Sequence, residues 1–166
     1  TSTHITLTAA IAIARAGYLT GHGRRRESLV LASTGDHNIG DTALLESYIN
    51  NVDGPIRVLA TAPENYAVLT EGIPDVSAEE SALMWGSTKQ RFSAWFKLGA
   101  LLRNAREFCG IGADNVDGGY GDHVVFGEWS AAIIACALGV PTRVLGFSWG
   151  ENPTHTAQAM AVRAAG

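Results

Sequence analysis

Polar side chains that could bind a small molecule are concentrated in three glycine-rich segments. The first segment runs from Gly35 to Asp41, the second from Gly110 to His123 and the third from Gly146 to Pro153. Glycines let a backbone turn tightly around a ligand, while carboxylates, amides and hydroxyls supply the hydrogen bonds that a polar ligand needs. The candidate substrate-binding residues are Asn38, Gly40, Asp41, Asp114, Asp117, Tyr120, Ser148, Trp149 and Glu151. The pattern assigns none of them a catalytic role.

The same side chains also suit structural roles, and the sequence leaves the choice open. Asp41 either caps a helix or holds a sugar hydroxyl. Asp114 and Asp117 either shape turns or form a polar site at the end of a strand. Trp149 suits the apolar face of a sugar ring, and equally a loop that packs back onto the domain. The acidic and histidine side chains lack the spacing of a metal site, so no metal is predicted.

Short apolar runs alternate with helical patterns around these segments. We predict strands at 28–34, 56–62, 108–113 and 142–147, and helices at 41–51, 63–71, 88–104, 124–138 and 154–165. Ser77 and Glu80 have the spacing of a capping box, which predicts that a further helix starts there. The alternation predicts a Rossmann-like α/β fold, a parallel sheet with helices on both faces. Ligands bind beyond the carboxyl ends of such strands, where the three segments lie.

The beginning of the chain differs from the rest. Residues 1–27 are predicted to form a docked helix and a basic linker, Arg24 to Arg26, and residues 28–166 form the Rossmann-like domain. The apolar run from Ile5 to Ala14 is shorter than the roughly 20 residues that span a bilayer. No basic region precedes it, as one would in a signal peptide. We therefore predict no transmembrane segment and no signal peptide.

Charge and cysteine content restrict the partners and the compartment. The formal net charge is −4, and the chain has only two lysines. Such a surface does not attract a phosphate backbone, so nucleic acid is not a predicted partner. Cys109 and Cys136 lie in apolar stretches and are predicted to be small core residues. Two cysteines do not form a disulfide framework, which favours a reducing compartment and predicts a cytoplasmic protein.

The spacing of the glycines in the first segment excludes common nucleotide-binding sites. It matches neither the dinucleotide motif G-x-G-x-x-G nor the P-loop, and no lysine follows it. We therefore expect no nicotinamide cofactor and no ordinary nucleotide hydrolysis, and no cofactor of any kind is predicted.

In their order and spacing, the three segments resemble the polysaccharide pyruvyl transferase family. The matching pieces are Asn38 to Glu46, Ile111 to Gly118, and Gly139 to Trp149. The most specific piece is Asn-Ile-Gly-Asp, at 38–41. The resemblance covers roughly residues 28–155, which is most of the chain.

The resemblance implies one half of a two-domain transferase of the GT-B type. Such an enzyme moves the carboxyvinyl group of phosphoenolpyruvate onto a saccharide, where a pyruvate ketal forms on two sugar hydroxyls, and it uses no redox cofactor. Basic residues for the donor lie mainly in a second domain of the family, and this chain ends at Gly166, where a family member would continue. We therefore expect an amino-terminal domain from polysaccharide biosynthesis that is catalytically silent alone.

Two other functions stay open. A nucleotide-sugar-dependent glycosyltransferase half would bind a nucleoside diphosphate. A non-catalytic α/β interaction module would use the same loops for a protein contact. In that second case, replacing Asp41 and Asp117 by Ala would leave folding and partner binding intact.

Overall fold

The computed structural model describes residues 2–22, 26–33, 39–112 and 116–165. Its strands are β1 (Glu27–Leu31), β2 (Ile56–Ala60), β3 (Val76–Glu80), β4 (Ala105–Ile111) and β5 (Thr142–Leu145). Its helices are α1 (Ser2–Thr20), α2 (Ile39–Asn51), α3 (Ala67–Thr70), α4 (Thr88–Leu102), α5 (Asp122–Ala137) and α6 (His155–Ala165). A 3-10 turn, Pro63–Tyr66, precedes α3, so the helix predicted at 63–71 consists of two short pieces.

The five strands form one parallel sheet in the order β3-β2-β1-β4-β5. The chain builds outward from β1 to β3, then returns to the other side of β1 to place β4 and β5. At the centre, Leu31 of β1 lies between Leu59 of β2 and Gly110 of β4. This arrangement confirms the predicted Rossmann-like α/β fold. It also puts the reversal of strand order between β1 and β4, where a ligand crevice forms in such sheets.

Helices cover both faces of the sheet, because alternate side chains of each strand point in opposite directions. Leu31 and Phe108 pack with α1, α4, α5 and α6 on one face. Val30 and Cys109 pack with α2 and α3 on the other face. Every residue of α5 from Val124 to Ala135 is buried, so α5 has no polar stripe along this stretch.

The prediction that a helix starts at Ser77 to Glu80 is wrong, because this segment is the edge strand β3. Alternate side chains of β3 pack against the α2 face of the sheet. Glu79 also pairs with Arg57 of β2, with 3.1 Å between Oε2 and Nη1. These tertiary contacts outweigh the local capping signal. A capping box does occur in the next element, where Ser87 and Gln90 cap the start of α4.

The predicted amino-terminal helix is confirmed as α1, which docks against α4 and also touches α5. Two glycines allow the close approach of α1 and α4. A Cβ on Gly99 would lie 1.8 Å from the backbone oxygen of Ala14, and a Cβ on Gly17 would lie 1.9 Å from that of Phe96. Arg24 and Arg25 of the predicted linker lie outside the described residues. None of the described helices is both long and apolar enough to cross a membrane.

The two cysteines have different surroundings. Cys109 is buried in β4, as predicted, and its burial raises the pKa of the thiol to about 12. Cys136 is exposed near the end of α5, so the prediction of a core position is wrong for this residue. The last turn of α5 faces solvent. The apolar sequence around Cys136 does not reveal this exposure.

A buried polar network ties the sheet together on the α2 face. Glu107 of β4 accepts hydrogen bonds from Tyr48 Oη at 2.8 Å and Ser28 Oγ at 3.1 Å, and it pairs with Arg143 of β5. Burial alone would raise the pKa of Glu107. The two hydrogen bonds and the charges of Arg143 and Arg106 outweigh burial, so this pKa is lowered. The ionised carboxylate therefore joins α2, β1 and β5 to β4.

Candidate functional site

The three glycine-rich segments meet at the carboxyl edge, the edge of the sheet where its strands end. They follow β1, β4 and β5, which are neighbours in the sheet. The third segment touches the second segment and the helix α2, in which the first segment ends. A Cβ on Gly146 would lie 2.6 Å from the side chain of Leu44 in α2, and a Cβ on Gly112 would lie 2.7 Å from Cβ of Phe147. The prediction that these segments lie together is confirmed for their described residues.

Asp117 joins the second segment to the third. Its Oδ1 accepts a hydrogen bond from the amide of Gly119 at 2.9 Å, and its Oδ2 accepts one from the amide of Gly150 at 3.0 Å. Its backbone oxygen accepts a further bond from the amide of Thr154. Both carboxylate oxygens are therefore engaged by backbone, which supports the turn-shaping alternative for Asp117.

Replacing Asp117 by Ala is expected to separate the second and third segments and to lower the free energy of unfolding by about 1–2 kcal/mol. The amide of Gly150 should then exchange its hydrogen markedly faster, because it loses its acceptor. Native-state hydrogen exchange measures this directly. The matched control is Asp122→Ala, which removes an exposed carboxylate whose bond is to Thr156. Unchanged exchange at Gly150 in the Asp117 variant would show that the two segments are held by other contacts.

Asp41 lies at the carboxyl edge, in α2, the helix that follows β1. The predicted capping role is wrong, because α2 begins at Ile39 and Asp41 is inside its first turn. The side chain is only 4% exposed, and its Oδ2 accepts a hydrogen bond from Ser33 Oγ at 2.7 Å. The backbone oxygen of Ser33 in turn accepts a bond from Tyr66 Oη.

Glu128 of α5 is a buried acid that the sequence did not single out. It is 2% exposed, and within the described chain neither carboxyl oxygen has a hydrogen-bond partner. Burial, and after it the charge of Asp41, raise the pKa of Glu128 well above its ordinary value. A Cβ on Gly110 would lie 3.8 Å from Glu128 Oε1, so the carboxyl group lies against β4. A perturbed acid at this position is a candidate functional group.

Exposed aromatic side chains line the rim of the same edge. Tyr120 is 54% exposed, Phe147 48% and Trp149 41%. Ser148 and Glu151 are exposed beside them, and Gly40 is exposed at the start of α2. Apolar faces next to polar groups are typical of small-molecule sites.

Two of the nine candidate residues cannot be placed. Asn38 and Asp114 lie outside the described residues. The structure brings Gly40, Asp41, Asp117, Tyr120, Ser148, Trp149 and Glu151 to the carboxyl edge. They differ in their surroundings, since Asp41 is buried whereas Ser148, Trp149 and Glu151 are exposed.

Gly146 to Gly150 has the G-x-S-x-G spacing of a nucleophile elbow, with Ser148 at its centre. The structural context of an elbow is missing. In hydrolases the serine sits on a sharp turn from strand to helix, whereas α6 begins only at His155. In the part of the chain that the structure describes, no histidine forms a hydrogen bond with Ser148. The motif therefore does not support hydrolase chemistry.

Arg91 brings a positive charge to the end of the second segment. It donates hydrogen bonds to the backbone oxygens of Met84 at 2.8 Å and His123 at 3.4 Å. Burial lowers the pKa of Arg91. The ring of His123 meets Trp85 edge to face at 4.6 Å. Sequence reasoning placed Arg91 only on a helix, because its reach to α5 depends on how α4 and α5 pack.

Two surface cavities lie away from these side chains. One of about 330 Å³ runs between the end of β3 and α4, and includes Glu80 and Lys97. Another, of about 640 Å³, lies at the opposite edge of the sheet near Pro55 and Asp75. The described residues hold no group of three or more His, Cys, Asp or Glu side chains that could surround a metal ion.

No family model, no curated protein and no solved structure matches this chain. The three segments follow β1, β4 and β5, beside the reversal of strand order, where parallel α/β sheets commonly bind their ligands.

Proposed function

We propose that this chain is the amino-terminal, saccharide-binding half of a transferase that moves a pyruvyl group from phosphoenolpyruvate onto a saccharide. The observation that supports the proposal is the position of the three segments after neighbouring parallel strands, at one carboxyl edge of the sheet, since these are the segments that resemble the pyruvyl transferases. We place this transferase in the cytoplasm, in polysaccharide biosynthesis. The donor-binding residues are expected from a second domain of the GT-B type.

The chemistry of the rim supports a saccharide ligand. The rings of Tyr120, Phe147 and Trp149 offer apolar faces, and Ser148 and Glu151 offer hydrogen-bonding groups beside them. A sugar ring has the matching combination of an apolar face and a border of hydroxyls. Asp41 is the most buried of the described candidate residues, so we assign it to a sugar hydroxyl that reaches into the edge.

Titration of the chain with methyl glycosides of galactose, glucose and mannose tests the proposal. Tryptophan fluorescence and amide chemical shifts should report binding of at least one glycoside, with shifts at the three segments. Trp149→Ala should weaken this binding at least about tenfold, because it removes the aromatic face. The matched control is Phe96→Ala, since Phe96 is 42% exposed and lies on α4, outside the three segments. Absence of binding by all three glycosides, or equal loss in both variants, would contradict a saccharide site.

A non-catalytic interaction module is the second candidate, because one large aliphatic side chain at the rim is strongly exposed. Ile39, the first residue of α2, is 85% exposed. A protein contact would cover it, whereas a saccharide would not need it. Binding of a partner protein that is lost in Ile39→Ser and kept in Trp149→Ala would favour this second function. Tight binding of a nucleoside diphosphate would instead favour a glycosyltransferase half.

A further inference from the structure

β3 is an edge strand, and its outer side pairs with no strand in the described part of the chain. On the inner side, the carbonyl of Asp75 accepts a hydrogen bond from the amide of Ile56 in β2. Backbone groups of successive residues in a strand point to opposite sides, so those of Val76, Ala78 and Glu80 point outward. The amides of Ala78 and Glu80 have no hydrogen-bond acceptor among the described residues. This outward edge can therefore pair with a further strand.

A cavity lies beside β3 on each face of the sheet. The cavity on the face that α4 covers has a volume of about 330 Å³ and lies beside Glu79. Its lining includes the buried side chains of Leu59, Leu83 and Leu98. The cavity on the α2 face has a volume of about 360 Å³ and lies between Ala78 and the segment that forms the 3-10 turn and α3. Side chains of an added strand would point alternately into these two cavities.

The two cavities differ in charge. Glu64 and Glu71 line the cavity on the α2 face, and Glu80 is exposed at the end of β3. None of these three carboxylates forms an ion pair with a described basic side chain. On the α4 face, by contrast, Glu79 is already paired with Arg57. The α2 face of this edge therefore favours a basic side chain, and the α4 face favours an apolar one.

We propose that β3 binds an extended segment of a partner protein as an additional strand, and that this segment alternates apolar and basic residues. Its backbone pairs with the outward groups of Ala78 and Glu80. Its apolar side chains enter the cavity on the α4 face, and its basic side chains meet Glu64 and Glu71 on the α2 face. In strand addition of this kind, main-chain hydrogen bonds provide affinity and pockets for alternate side chains provide specificity.

A second copy of this chain fits the same edge poorly. It carries the same carboxylates at β3 and the same net charge of −4, so two such edges repel each other. A basic segment meets no such repulsion. The surface also lies outside the three glycine-rich segments, which follow β1, β4 and β5. The inference is therefore independent of the proposed saccharide site.

Titration with a blocked eight-residue peptide that alternates valine and lysine, followed by amide NMR, tests the proposal. The amide signals of Ala78 and Glu80 should shift, and their hydrogens should exchange at least about tenfold more slowly in the saturated complex, because they gain acceptors. Two control peptides should each bind at least about tenfold more weakly. One has glutamate in place of lysine, and the other has the same composition with four valines followed by four lysines.

A pair of matched double variants tests the role of charge. Glu64→Lys combined with Glu71→Lys should weaken binding of the alternating peptide at least about tenfold, because two attractive contacts become repulsive. Glu46→Lys combined with Asp122→Lys changes the net charge equally, at exposed positions of α2 and α5. This control should bind the peptide as the unmodified chain does.

Shifts that centre away from β3, or no shifts at about 1 mM peptide, would overturn the proposal. Equal binding of the block peptide would overturn strand addition, because charge alone would then account for the affinity. Dimerisation of the chain without peptide, with slowed exchange at Ala78 and Glu80, would assign the edge to a second copy instead. The three peptides on the unmodified chain decide the question even where a variant fails to fold.

Discussion

Replacement of Glu107 by Ala should lower the free energy of unfolding by about 3 kcal/mol, the largest single effect that we expect. The change removes one carboxylate that serves three partners at once. Tyr48 and Ser28 would keep buried hydroxyls without their acceptor, and Arg143 would lose its counter-charge. For a chain of this size, the melting temperature should fall by about 10 °C. Calorimetry at neutral pH measures both quantities.

Glu107→Gln is the matched control, because it keeps the shape and loses only the charge. It should cost less than the Ala variant, since an amide oxygen still accepts from Tyr48. An equal loss in both variants would assign the effect to the charge alone, and no loss in either would contradict a structural role for the network.

The pH dependence of stability follows from the lowered pKa of Glu107. A folded-state pKa below the unfolded value, about 4.3 for a free Glu, means that the carboxylate stabilises the fold above that value. This contribution is lost as the pH falls through the folded pKa. The unmodified chain should therefore lose more stability on acidification than Glu107→Gln does. Parallel curves for the two proteins below pH 4.3 would contradict the assignment of this pKa.

Gly99→Ala should destabilise the fold by about 2 kcal/mol, although alanine is the better helix former. Helix propensity alone would favour the substitution by about 1 kcal/mol. The added Cβ would lie 1.8 Å from the backbone oxygen of Ala14, so α1 and α4 must move apart. Overpacking of this kind costs about 1–3 kcal/mol or more, and here the obstacle is backbone that has no rotamer to change. The clash therefore outweighs the propensity.

Thermal denaturation of Gly99→Ala and Ser93→Ala side by side checks this result. Ser93 is an exposed residue of the same helix, and its replacement should change stability by less than about 0.5 kcal/mol. Limited proteolysis adds a local measurement, because α1 should become cleavable when it leaves α4. A stable Gly99→Ala variant with a protected α1 would show that the two helices tolerate a wider spacing.

Most elements of the fold could be predicted because their signals are local. The run from Ser28 to Leu31 is apolar and ends near glycine, which identifies a buried strand without knowledge of its neighbours. The prediction for β3 was wrong, because Ser77 and Glu80 carry a helix-capping signal whereas pairing with β2 stabilises the segment as a strand. Its ion pair with Arg57 joins residues that lie far apart in the sequence. A contact of that kind is not visible in a local window.

The sequence predicted the position of the candidate site better than the roles of its individual side chains. The gathering of the three segments followed from the rule that parallel strands end at the same edge. The sequence did not predict that Asp117 links the second and third segments. This link depends on the position of Gly150, whose amide donates a hydrogen bond to the Asp117 carboxylate. Glu128 was missed for a physical reason: it stands in the apolar sequence of α5, and its importance appears only when that helix covers β4.

The position of β1 between β2 and β4 has a consequence for folding kinetics. The pair formed by β1 and β4 joins distant parts of the chain, as in the hydrogen bond between Ser28 and Glu107, which are 79 residues apart. Closing such a loop costs conformational entropy before any contact is gained, so this pairing is a slow step. A partly folded chain that holds only β1, β2 and β3 has no second wall for the crevice. Ligand binding there would consequently report the final stage of assembly.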